Sequence, residues 1–94
     1  MDTIYKYPIK VTDLQTVQMP DLAQILCVQK QDGIICLWAR CFSENELKPR
    51  SISVAGTGNP IDGNYFHKYI GTVQDDPFIW HVFEIESACI PRSD

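Results

Sequence analysis

At 94 residues the chain is long enough for one domain and too short for two, and it buries only roughly 60–65% of its unfolded surface on folding. Its composition, 45% hydrophobic and 21% charged, argues against disorder. A net charge of −4, with eight basic residues scattered along the chain, argues against nonspecific binding to nucleic-acid backbones. No apolar run approaches the length of a membrane span, and the start Met1-Asp2-Thr3-Ile4-Tyr5-Lys6 lacks the basic and apolar stretches of a secretory signal. A cytoplasmic, non-membrane protein is therefore expected. In a reducing compartment Cys27, Cys36, Cys41 and Cys89, none of them in a C-x-x-C pair, read as free thiols filling space as small hydrophobes.

Strand signals dominate in chain order. Residues 4–9 read as a first strand, placed at a sheet edge by Pro8, and Thr16 to Met19 as a short second one. Leu22 to Gln31 and Ile34 to Phe42 are the strongest pair. Ser43 to Pro49 reads as a polar loop, with the capping-box spacing of Ser43 and Glu46 predicting one helical turn. Arg50 to Ala55 is a further strand and Gly56 to Asn64 a turn-rich stretch. Tyr65 to Gln74 and Phe78 to Glu86 form a second hairpin around Asp75-Asp76-Pro77. The ordered part is expected to span about residues 3–86, with 87–94 a tail.

Asp32-Gly33 between two apolar runs is the signature of a two-residue type I′ turn. That turn pairs Gln31 with Ile34, Val28 with Leu37, Cys27 with Trp38 and Ile25 with Arg40. The period of two then places Leu26, Val28, Ile35, Leu37, Ala39 and Cys41 on a core face. The opposite face carries Ile25, Cys27, Gln29, Cys36, Trp38, Arg40 and Phe42, apolar enough that a covering element, subunit or ligand is expected over it. The last strand is two-sided as well: Ile79, His81, Phe83 and Ile85 against Phe78, Trp80 and Val82. Two such strands predict an all-β fold, a small antiparallel β-sandwich or barrel of about six or seven strands built from hairpins.

The segments Lys6-Tyr7-Pro8-Ile9, Met19-Pro20, Cys36-Leu37-Trp38-Ala39, Gly56-Thr57-Gly58-Asn59-Pro60-Ile61, Tyr69-Ile70-Gly71-Thr72 and Trp80-His81-Val82-Phe83-Glu84 carry a resemblance. Over nearly its whole length the chain resembles a family of short bacterial and phage proteins to which no activity is attached. The resemblance implies a stand-alone phage or prophage protein acting on a host component, with inhibition of defence as the role.

Chemistry-bearing residues are few. Gly56-Thr57-Gly58-Asn59 is either a tight turn with positive-φ positions or a loop aiming backbone N–H groups at a phosphate; no Walker or dinucleotide pattern surrounds it. His81, mid-strand among apolar residues, reads as a core or interface histidine, and His67 as a surface one. The spacings of the histidines and aspartates match no metal site, the strand cysteines lack an activating base, and no catalytic residue, metal or cofactor is expected. The aromatic set of Tyr5, Tyr7, Trp38, Tyr65, Tyr69 and Trp80 is rich, and Trp38 with Arg40 on one face has the composition of a binding hot spot.

The expectation is thus a non-enzymatic binding protein that engages a host protein. A nucleotide-type ligand, small and anionic, is the alternative, held by Gly56, Thr57, Gly58 and Asn59 with Arg40 or Arg50 and an aromatic such as Tyr65 beside His67. A structural or virion-associated component is the third reading, and homo-oligomerisation remains open.

Overall fold

Branched and aromatic residues alternating with polar ones lay residues 1–86, those the computed structural model describes, into seven antiparallel strands with no helix among them. They are β1 (Asp2–Pro8), β2 (Gln15–Pro20), β3 (Gln24–Gln31), β4 (Ile34–Phe42), β5 (Leu47–Gly56), β6 (Phe66–Asp75) and β7 (Phe78–Glu86). Two sheets result, a smaller one ordered β1-β4-β3 and a larger one ordered β2-β5-β7-β6. With extents of 42 × 39 × 15 Å the molecule is two flat layers, which decides for the sandwich over the barrel. The expected tail and Cys89 lie outside the described residues.

The inner faces hold the core. Ile35, Leu37, Ala39 and Cys41 of β4 face Met19, Ile52, Val54, Val73 and Val82 of the larger sheet, each large side chain contributing roughly 1.5–3 kcal/mol by leaving water. Cys36 and Cys41 are buried free thiols and Cys27 is half-buried. Pro8 lies on β1, an edge strand, where its missing N–H interrupts no ladder. The edge strands β3 and β6 run side by side and join the two sheets.

The Asp32-Gly33 turn has φ of 51° and 80°, the positive pair a type I′ turn requires, and the register from Gln31↔Ile34 through Cys27↔Trp38 is the expected one. Beyond it a β-bulge at Leu26 shifts the pairing, so Ile25 opposes Ala39 and Gln24 opposes Arg40. The bulge corrects the expected faces. Ile25 turns toward the core, while Leu26, assigned there from the sequence, is 46% exposed.

The helical turn at Ser43 does not form. Ser43 Oγ donates to Met1 O, and the chain turns back through a bond from Asn45 N to Phe42 O. β5 then begins at Leu47, earlier than Arg50. Pro49 is accommodated there because, among the described residues, the β5–β7 ladder starts only at Ser51.

Candidate functional site

Strand order places the two outer faces in different surroundings. Within the smaller sheet β3 and β4 are joined by a two-residue turn, which leaves no chain to fold over the face. Within the larger sheet β5 is followed by β6, yet β7 lies between them. The connection 57–65 must therefore cross the position of β7, and it lies over the outer face. The segment 9–14, which carries the chain from β1 to β2, closes on the same face, tied down by Val54 N donating to Thr12 O. Gln15 braces that segment from within: its side chain accepts from Lys10 N at 3.0 Å and donates to Lys10 O at 2.6 Å.

Sheet and loops enclose a cleft of about 510 Å³, within the size range of small-ligand sites. Its floor is Ser51 and Ser53 of β5, Ile85 of β7 and His67 of β6; its walls are Asp13 and Leu14 on one side, Asp62 and Tyr65 on the other. Asp62 shapes its own loop, accepting at Oδ1 from Asn64 N (2.9 Å) and at its carbonyl from Tyr65 N (3.3 Å). The His67 ring packs edge-on against Phe83 at 5.6 Å, with Nδ1 3.0 Å from Tyr65 O. Ser53 is 6% exposed, yet its hydroxyl bonds to no described residue. No sealed side-chain polar atom is left unpaired among the described residues, so that hydroxyl has its opening in the cleft.

Beside the cleft a chain of polar groups crosses the same face. Tyr69 Oη lies 2.6 Å from Thr72 Oγ1, Thr72 Oγ1 3.2 Å from His81 Nδ1, and His81 Nε2 2.7 Å from Thr57 Oγ1. His81 is thus hydrogen-bonded to its neighbours on both ring nitrogens, and it anchors the Gly56–Asn59 turn to the sheet.

That turn is built for shape. Asn59 N donates to Gly56 O at 3.0 Å, Gly58 sits at φ 88°, and Thr57 N donates to Ile79 O. Two of its N–H groups, those of Asn59 and Thr57, are already bonded to Gly56 O and Ile79 O, which leaves fewer donors for a phosphate. Gly56 is required for close approach, since a Cβ there would meet Asn59 Nδ2 at 2.9 Å and the Trp80 ring at 3.2 Å.

The nucleotide constellation does not converge. Arg50 points between the sheets, where it pairs with Glu84 through Nε and through Nη2 (2.9 Å) and donates from Nη1 to Ala23 O (2.8 Å). The hydrogen bonds it donates to Glu84 hold its guanidinium more firmly protonated than usual. Arg40 lies on the other sheet's outer face, paired with Asp2. Of the residues selected from the sequence, only Tyr65 and His67 line the cleft; Asp13, Leu14, Ser51, Ser53, Asp62 and Ile85 were not among them.

The outer face of the smaller sheet carries half-buried Trp38 at its centre, opposite Lys6 and Cys27. Ile4 (59% exposed), opposite Arg40, and Phe42 (41% exposed), two residues beyond Arg40, continue the same face, and among the described residues no layer covers it. Its polar groups pair along the surface: Lys6 Nζ donates to Gln31 Oε1 at 2.9 Å and Arg40 Nε to Asp2 Oδ2 at 2.9 Å.

No described helix is long and apolar enough to cross a membrane, and no group of metal-ligating side chains converges among the described residues. Compared with known proteins, residues 1–89 match the model of a family described as a domain of unknown function, DUF7352. No curated protein matches the chain, and no solved structure does.

Proposed function

The chain belongs to the DUF7352 family, a domain of unknown function, and from its surface we propose that it is a non-catalytic binding domain that docks a protein partner on the outer face of the smaller sheet. One observation carries this reading: Ile4, opposite Arg40, and Phe42, the next outward position after Arg40 on β4, stand exposed on the same uncovered face as Trp38 among the described residues. Aromatic and arginine residues ringed by polar pairs make up the energetic centre of protein interfaces. The face bears the cations Lys6 and Arg40 against the single carboxylate Asp2, on a chain of net charge −4, which favours a partner with an acidic rim. Binding is favoured over chemistry because the polar candidates are engaged: His81 by two threonines, His67 by a backbone carbonyl, and Cys36 and Cys41 by burial. The resemblance to phage proteins points to a host protein in the cytoplasm as the partner, with interference in host defence as the role.

The test compares the tagged chain with the Ile4→Asp/Phe42→Asp variant, whose two sites are too exposed to disturb the core. A partner captured from host cells at near 1:1 by the first should be lost at least tenfold by the second. Equal capture by both, or no stoichiometric partner for the unaltered chain, overturns the reading.

A further inference from the structure

We propose that the cleft on the larger sheet is a second, separate site, and that it takes a small organic cation: a primary amine carried on a flat apolar ring. Three features support this. The first is form. A strand-built floor with two loop walls makes a concave slot of about 510 Å³, several times the volume of a bicyclic ring system. The second is Ser53, more than nine-tenths buried, its hydroxyl bonded to no described residue and opening into the slot. A hydroxyl so placed, open to the slot and free of partners among the described residues, is available to bond a ligand atom there.

The third is charge. Asp13 and Asp62 flank the slot and, among the described residues, no lysine or arginine lines it, so an anion would enter against two carboxylates, whereas an ammonium gains from both. Tyr65 is an aromatic residue in the lining, of the kind that attracts cations, while Leu14 and Ile85 supply apolar surface for the ring. The nucleotide-type ligand that the sequence offers as an alternative has the wrong charge for this slot.

Amide chemical shifts of the full chain, recorded while titrating tryptamine and, separately, indole-3-propionate, test the proposal with one ring and opposite charges. Tryptamine should move Ser51, Ser53, His67 and Ile85 and bind at least tenfold more tightly than the propionate. The Asp13→Asn/Asp62→Asn variant, which keeps side-chain shape and the Asn64 hydrogen bond, should erase that preference. Equal or tighter binding of the anion, a preference surviving in the variant, shifts confined to other surfaces, or no shift with either compound would each overturn it. None of these outcomes bears on protein capture by the Trp38 face, so the two sites stand or fall separately.

Discussion

The two sheets turn opposite kinds of surface to solvent, although both are built from the same kind of strand. On the smaller sheet the outer face is level, and its charged groups are engaged by polar or charged neighbours across strands, Lys6 by Gln31 and Arg40 by Asp2. On the larger sheet it is concave, and the hydroxyl of Ser53 is left over. The connections account for the contrast. A two-residue turn leaves nothing to roof the face between β3 and β4, whereas a route from β5 to β6 around the intervening β7 needs a loop long enough to make a wall. Loop length, fixed by sheet order, separates a surface suited to a protein from one suited to a small molecule.

The sharpest way to break this contrast is to remove what both faces depend on. Arg50 of β5 grips Glu84 of β7 and reaches Ala23 O at the entry to β3, so one half-buried pair spans the two sheets. Glu84→Ala leaves the guanidinium with a single carbonyl partner and should cost about 2–3 kcal/mol, below the full cost of breaking a wholly buried pair because these side chains keep some solvent. For a domain this size that lowers Tm by roughly 10 °C or more, and both binding faces should fail together. Arg50→Met/Glu84→Leu, which removes both charges and keeps apolar volume, should recover most of the loss. A Glu84→Ala melting curve within 2 °C of the unaltered chain would show that the pair is not the tie.

A smaller perturbation separates the faces. Gly71 follows the bulge at Ile70 in β6, and a Cβ there would lie 2.8 Å from Val28 Cγ1 of β3. Val28 is β-branched and stiff, so Gly71→Ala should displace β6 and cost roughly 1–3 kcal/mol by overpacking. Because β6 also carries His67, amide shifts should spread into the cleft and spare Trp38 and Arg40. Combining it with Val28→Ala should cost less than the sum of the two changes in chemical denaturation; strict additivity would mean that the seam has room to spare.

These positions also mark where the sequence stops being readable. The Asp32-Gly33 turn is local: two adjacent residues with positive φ set a register for the strands beside them, and that register holds until the bulge at Leu26, which no residue type announces. The alternation of Ser51 and Ser53 with Ile52 and Val54 is the local pattern from which a polar outward face on β5 could have been read. What covers that face is contributed by Asp13 and Asp62, brought there by a sheet order that local pattern does not encode. Arg50 reads as a ligand contact only while Glu84, distant in the chain and adjacent in space, is out of view.

The smallest expected effect tests whether the contrast is complete, because one exposed apolar residue belongs to neither face. Leu22 occupies the third position of the turn closed by Ala23 N donating to Pro20 O at 3.1 Å, with φ 68° and 73% of its surface exposed. A leucine in the left-handed region carries strain that glycine does not. Against this, glycine gives the unfolded chain more freedom, so the two effects largely offset. Leu22→Gly should raise stability by only a few tenths of a kcal/mol, about 0.5 at most, whereas Leu22→Val, β-branched at positive φ, should lower it by about 1 kcal/mol. Denaturant midpoints at constant slope read both changes. Neither substitution should alter partner capture or amine binding; a capture loss at unchanged stability would extend the protein-binding surface from the Trp38 face onto this turn, and the division into two self-contained faces would fail.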